Sequence, residues 1–369
     1  MRVLLVSPAY NDAGRFALLE RVGVDHDVTL LTIDEFQTPA FGAMSARPSS
    51  PTVTVLANRP WRIGTRHLYR PDWRAYRRAR PEVVHVEYDP WTPEFWSAML
   101  PLLLLHPRAR WVIGTRKNTR HVPRGPLGWA ERVLTRLGVA RSSLVVAVSR
   151  AAEGVYRRLG FTDQRVEVLH NVPIDESVFD GRRAEPTDEF RVGYVGSLLP
   201  HKGVEVLVAA VAELRERIGE HVRLDLVGRV HDAAFAEHVQ RHDWTTFHGM
   251  LPNRELPDFL VTVDAFVMPS LVLPDHEEHD GVALLEAMAM RVPSIGSRSG
   301  IIPEIIEDGE NGLLVDAGDA QQLADRLQEL HDDRERAEKL ADTARHDALR
   351  RAGLSSLVAG WTDLYGSVA

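Results

Sequence analysis

Short runs of Val, Ile and Leu recur along the chain, separated by longer segments rich in polar and turn residues. The first series falls at residues 3–6, 28–33, 53–56, 83–86, 111–113, 144–148 and 166–169. A second series falls at residues 191–195, 224–227, 246–248, 265–268, 294–295 and 312–315. Runs that are apolar at successive positions, instead of alternating, read as parallel strands buried on both faces. Helical periodicity fills most of the intervals between them, so the chain reads as repeated βαβ. That pattern predicts an α/β fold of two Rossmann-like, doubly wound domains. The polar segment 175–190, punctuated by Gly181 and Pro186, is the expected linker. The division expected from it is 1–184 and 185–352, followed by a C-terminal segment at 353–369.

Length and composition agree with two cores: the chain has 369 residues, of which 44% are hydrophobic. It contains no Cys, which excludes disulfides, thiolate metal sites and a cysteine nucleophile, and fits a reducing compartment. The opening MRVLLVSPAY is too short in apolar residues for a signal-peptide core, and no stretch approaches the roughly 20 apolar residues of a membrane span. A cytoplasmic protein is expected.

The net charge of −8 conceals two halves of opposite sign. Residues 1–180 hold 25 Lys and Arg against 18 Asp and Glu, and the remainder holds 19 against 34. Eight arginines lie between Arg59 and Arg80, several at the three- or four-residue spacing that lines one side of a helix. The acidic balance of the whole chain and the lack of a recognisable motif argue against nucleic acid. Two readings of the stretch remain: an ordinary solvated face, or a contact for an anionic acceptor or anionic lipid that would hold the protein peripherally at the inner face of the membrane.

Two constellations in the second half carry candidate chemistry. Gly193 and Gly196 surround the end of an expected strand, and Lys202 with Gly203 stands just before the helical run VEVLVAAVAELRER. Backbone N–H groups and an ammonium placed there can meet a phosphate, although a strand that simply turns tightly into a helix has the same letters. Further on, Gly281, Val282 and Ala283 open a helix, which places Glu278 in the loop before it and Glu286 in its early turns. Carboxylates suit hydroxyl recognition because each accepts several charge-assisted hydrogen bonds. His276, Glu277, Glu278 and His279 suggest a metal, but four consecutive residues rarely face one ion and the order is not that of zinc proteases, so no metal is expected.

The stretches VGYVGSLLPHKGVEVLVAAVAEL and VMPSLVLPDHEEHDGVALLEAMAMRVPSIGSRSGIIPEIIEDGENGLLVDAGDAQQLADRL closely resemble the donor-binding half of family 4 retaining glycosyltransferases. VVHVEYDP and HNVPIDESVF extend the resemblance loosely into the first half. It implies a GT-B fold with a site in the cleft, a C-terminal helix that crosses back to the N-terminal domain, and transfer of a sugar from a nucleotide diphosphate sugar. No further cofactor is implied. By the same resemblance Glu278 contacts the transferred sugar, Glu286 accepts from the ribose, and the N–H groups of Gly281, Val282 and Ala283 face the diphosphate together with Gly196 and Lys202. Phe247, His248 and Gly249 fall where the family lines the base pocket. Ser197 stands where members often carry Arg, with Arg229 as a candidate substitute. Glu278-His279-Asp280-Gly281 replaces the common Glu-Gly-Phe-Gly, which leaves the donor sugar open. Catalytic roles are carried over to Glu278, Lys202 and, from a His in the first half of many members, His121.

Loops after the first-half strands supply the acceptor candidates Asn11, Asp12, Gly14, Glu87, Asp89, Arg116 and Asn118, because ligands bind at strand carboxyl ends. The acceptor itself, whether glycan, lipid or small natural product, and the oligomeric state have no signature in the letters. A sugar-nucleotide epimerase of the same architecture and a noncatalytic nucleotide-sugar-binding protein are the alternatives. The paired glutamates favour transfer.

Overall fold

The computed structural model describes residues 1–38, 42–64, 66–117, 125–185, 187–274 and 276–368. The chain divides into two compact units, Met1–Pro173 with Leu354–Ala369, and Ile174–Gly353.

In chain order the first unit has strands β1 (Arg2–Val6), β2 (Asp27–Ile33), β3 (Glu35–Thr38), β4 (Gly42–Ser45), β5 (Val53–Asn58), β6 (Trp61–Ile63), β7 (Arg66–Leu68), β8 (Val83–Val86), β9 (Arg110–Thr115), β10 (Ser142–Ala147) and β11 (Val166–Val168). Its helices are α1 (Ala13–Val22), α2 (Trp73–Ala79), α3 (Pro93–Leu105), α4 (Gly125–Arg141) and α5 (Arg150–Arg158). Seven strands form one parallel sheet in the order β11-β10-β9-β8-β1-β2-β5, while β3–β4 and β6–β7 are antiparallel hairpins outside it. Side chains bury alternately on the two faces of this sheet, Val3 and Leu5 in one cluster and Leu4 and Val6 in the other, which is why β1 is apolar at every one of these positions. Helix starts follow local chemistry: Asp12 accepts from the Arg15 N–H to cap α1, Thr92 caps α3 ahead of Pro93, and Ser149 caps α5.

The second unit has strands β12 (Phe190–Val195), β13 (Val222–Val227), β14 (Thr245–Phe247), β15 (Ala265–Met268), β16 (Ser294–Ser297) and β17 (Leu313–Val315). They form a parallel sheet in the order β14-β13-β12-β15-β16-β17. Helices α6 (Val204–Ile218), α7 (Ala233–Gln240), α8 (Leu256–Leu260), α9 (Val282–Ala289), α10 (Ile302–Ile305), α11 (Ala320–Asp332) and α12 (Arg334–Ala352) accompany it. The last helix, α13 (Leu354–Val368), belongs to the first unit: Leu357, Trp361, Leu364 and Tyr365 are buried in one core with Val3, Leu5 and Phe16.

Two expectations need correction. The units part at Pro173 and Ile174 instead of near residue 185, because Ile174 donates its N–H to the Ala352 carbonyl at 2.7 Å and Phe179 is buried in the second core. A segment can be polar in composition and still be tethered by two apolar side chains. The arginines between Arg59 and Arg80 do not line one helix: Arg62 and Arg66 belong to the β6–β7 hairpin, and α2 is only seven residues long. Pro60 and Pro71 bound the hairpin segment, and each lacks the N–H that a continuous helix would use. Among the described residues no helix is long and apolar enough to cross a membrane.

Candidate active site

In an open parallel sheet the crossovers switch faces at one point, which leaves a crevice at the strand carboxyl ends. In the second unit that point lies between β12 and β15, neighbours in space but not in sequence. From β12 the chain passes Gly196 and Ser197 into the short turn Pro200–Lys202; from β15 it passes Ser270 and reaches Glu278 before α9. The Lys202 Nζ stands 2.7 Å from Glu278 Oε2, and the Ser270 hydroxyl donates to the same oxygen at 2.6 Å. Gly203, at φ +71°, lets this turn lie against the end of β15: a Cβ there would fall 1.9 Å from the Pro269 carbonyl oxygen.

Glu278 is 8% exposed. Burial pushes its carboxyl pKa up, but the charge of Lys202 and the hydrogen bonds from Lys202 and Ser270 outweigh that and hold it below the ordinary value. It is therefore a carboxylate at neutral pH. Gly281 takes the left-handed conformation at the start of α9, and among the described residues no side chain caps this end. The N–H groups of Val282 and Ala283 lie in the first turn, the end of a helix that favours an anion. Glu286 lies one turn further on, 7% exposed, where Asn253 Nδ2 donates to its Oε1 at 2.6 Å.

Phe247 ends β14 and is packed against the core. The His248 ring is 2.7 Å from the carboxylate of Asp225, so its side chain braces the sheet edge, and the Gly249 carbonyl accepts from the Gly228 N–H at 2.8 Å. Arg229 is aimed at Met250 Sδ, 3.4 Å away. Ser197 has His231 beside it, ring Nε2 to Oγ 3.3 Å, and its carbonyl accepts from the Tyr194 hydroxyl. The rings of His201 and His276 lie 4.0 Å apart, and those of His276 and His279 5.7 Å apart. Among the described residues no group of three or more His, Cys, Asp or Glu is placed to hold a metal ion.

The first unit repeats the architecture, with its switch point between β1 and β8. Glu87, just past β8, accepts from Ser7 Oγ at 2.8 Å, Tyr10 at 3.0 Å and Asn171 Nδ2 at 2.9 Å. Burial raises its pKa, but His85, Arg116 and the bonds from Asn171 and Ser7 pull it below the ordinary value. Glu87 and Arg116 are thus brought together. Other acceptor candidates are engaged in building the loops: Asn11 bridges the Ile33 carbonyl and Thr32 Oγ1, Asp12 caps α1, with Gly14 in its first turn, and Asp89 accepts from the Tyr156 hydroxyl at 3.0 Å. Asn118 and His121 lie outside the described residues. Asn253, Ser7 and Asn171 escaped sequence reasoning; Asn171 lies inside the motif HNVPIDESVF, and Asn253 follows residues 247–249 by a few positions.

Two parallel α/β units, each with its polar constellation at a switch point, have the architecture of the GT-B class. Residues 17–172 match the family model described as Glycosyl transferase 4-like domain, and residues 176–347 match Glycosyl transferases group 1. A GDP-mannose-dependent α-(1-6)-phosphatidylinositol monomannoside mannosyltransferase of Mycobacterium tuberculosis is 29% identical over 267 residues, 66% of this chain and 67% of that protein. The α-D-kanosaminyltransferase of Streptomyces kanamyceticus is 27% identical, over 58% of this chain and 57% of its own. Among solved structures, sucrose-phosphate synthase from Thermosynechococcus elongatus has the same fold at TM-score 0.75 and 19% identity, over 99% of this chain and 98% of that one. HepE of Anabaena, solved with UDP and glucose, superposes at TM-score 0.70 and 16% identity over the whole of both chains. The chain belongs to the family 4 glycosyltransferases. It transfers a sugar from a nucleotide-sugar donor to an acceptor.

Proposed function

We propose that this enzyme retains anomeric configuration and needs no metal, and that its donor is held in the second unit by Lys202, the start of α9 and the two glutamates. The observation that carries the donor site is the 2.7 Å pair of Lys202 and Glu278; retention and metal independence rest on the resemblance to family 4 retaining glycosyltransferases. Without ligand each group satisfies the other. A nucleoside diphosphate sugar offers an anion to Lys202 and hydroxyls to Glu278, so one ligand replaces both halves of the pair. Lys202 and the first-turn N–H groups of α9 then meet the charge that grows on the leaving diphosphate. Glu286, oriented by Asn253, receives the ribose hydroxyls, and residues 247–249 border the base.

Glu278 is a poor general base, because its pKa lies below the ordinary carboxylate value and far from neutral pH. The acceptor proton therefore passes to the departing diphosphate oxygen. The bond from the anomeric carbon to that oxygen breaks, and a bond to the acceptor oxygen forms on the same face. Glu87 and Arg116 are the acceptor-side groups, and the arginines from Arg59 to Arg80 are a contact for anionic headgroups. GDP-mannose leads the donor panel because the mycobacterial relatives are GDP-mannose-dependent enzymes.

Calorimetry with UDP-, GDP-, ADP- and TDP-sugars in the presence of a chelator tests the donor site. Selective binding of one nucleotide is expected; binding that requires added Mg²⁺ would overturn metal independence. Once an acceptor is found, NMR of the product anomer decides the stereochemistry, and an inverted product refutes the proposed route.

A further inference from the structure

Helix α4 is turned inside out relative to an ordinary surface helix. It buries Gly128, Thr135, Gly138 and Val139 against its own unit, and it exposes Leu127, Trp129, Leu134 and Leu137 at 70%, 63%, 40% and 57%. A surface helix normally turns its large apolar side chains to the core. The orientation is set by close packing: a Cβ on Gly138 would fall 2.6 Å from Pro90 Cβ and 3.5 Å from Phe95, so a larger residue at position 138 would push the helix away from Pro90. Leu127, Leu134 and Leu137, at spacings of seven and three, form one stripe. Trp129 stands at its border beside Arg132 and Arg136, three and seven residues on, and both arginines are exposed.

The stretch of chain that leads into α4 is strongly basic. Residues 59–141 hold 17 Lys and Arg against 6 Asp and Glu, in a chain whose net charge is −8. Trp61 and Ile63, on the β6–β7 hairpin, add exposed apolar side chains to the same stretch of chain. A second copy of this helix face would bring two pairs of exposed arginines, Arg132 and Arg136, together, which like charges oppose. An anionic bilayer complements both features at once: acyl chains accept the Leu stripe, the indole sits at headgroup level, and guanidinium groups reach the phosphates.

We propose that α4 is an interfacial anchor that lays Leu127, Leu134 and Leu137 into the surface of an anionic membrane while Arg132 and Arg136 engage its headgroups. This deepens the headgroup reading given to the arginines from Arg59 to Arg80 and rests on it. The test is co-sedimentation of the full chain with vesicles of phosphatidylcholine alone or mixed with phosphatidylglycerol. Variants are Leu127→Gln/Leu134→Gln/Leu137→Gln and Arg132→Gln/Arg136→Gln, with unchanged circular dichroism and Tm confirming their folds. Wild type is expected to bind the mixed vesicles, and the leucine variant to bind at least about tenfold more weakly, the effect of losing roughly 1.4 kcal/mol or more. Brominated acyl chains should quench part of the wild-type tryptophan emission, and Trp129→Phe should remove that part.

If wild type binds neither vesicle, the headgroup reading and the anchor both fail. If wild type and the leucine variant bind mixed vesicles equally, the headgroup reading stands and the anchor alone is overturned. If ultracentrifugation shows wild type as a dimer and the leucine variant as a monomer, the face belongs to a second copy and the proposal is wrong.

Discussion

Replacing Glu278 by Gln removes one charge from the candidate donor site and leaves its shape intact. At 2.7 Å, with an effective dielectric constant of about 20, the gross attraction between Lys202 and Glu278 is about 6 kcal/mol. Much of that offsets the desolvation of two side chains that are only 23% and 10% exposed. A net contribution of about 1.5–3 kcal/mol is usual for a charge-assisted bond. Gln still accepts from Ser270, so the ligand-free enzyme should lose about 1–2 kcal/mol and its Tm should fall by about 2–8 °C. The effect on ligands has a different sign for the two halves of the donor. Lys202, released from its carboxylate, should hold a free nucleoside diphosphate as well as before or better. Transfer should fall by about 10- to 100-fold, because the sugar loses a charged acceptor for its hydroxyls. Calorimetry with the free diphosphate and initial rates with the intact donor separate these effects in one variant. Wild-type turnover would refute the sugar contact, and equal loss of affinity for diphosphate and sugar nucleotide would show that Glu278 acts through folding.

Three further outcomes are expected. His85 is fully buried, with its Nδ1 2.9 Å from the Tyr365 hydroxyl, and burial lowers its pKa from 6.5 to about 4. The unfolded chain then binds the extra proton between those values, so stability falls as pH drops from 6.5 to about 4 by up to about 3 kcal/mol, and His85→Gln should flatten that limb in urea titrations at several pH values. Trp361→Ala should cost about 3–5 kcal/mol, read as a lower urea midpoint, because its side chain lies in the core shared by β1 and α13. Gly203→Ala forces a side chain into a left-handed position against the Pro269 carbonyl; it should destabilise the second unit by about 3 kcal/mol or more and weaken nucleotide binding, both measurable by thermal shift with and without ligand.

Much of the fold was legible because a strand buried on both faces of a parallel sheet must be apolar at successive positions, a signal that residues 3–6 and 265–268 carry without help from their neighbours. Helix starts at Asp12, Thr92 and Ser149 are also set locally, by a side chain that reaches an N–H three residues on, but only the structure identified them. The candidate donor site was legible in its residue types, since Lys202, Glu278 and Glu286 are polar groups set beside glycines and apolar runs that explain everything around them. What bonds to what was not legible. Lys202 and Glu278 are 76 positions apart and meet only because β12 and β15 become neighbours in the sheet. Asn253 reaches Glu286 across 33 positions, and Tyr365 reaches His85 across 280. Asn11 and Asp89 also satisfy buried loops in the ligand-free chain, because a short polar side chain suits either task until its neighbours are known. Periodicity marks the apolar face of a helix, but which side of α4 meets the protein was decided by Gly138 lying against Pro90 and Phe95, a packing contact that no local pattern records.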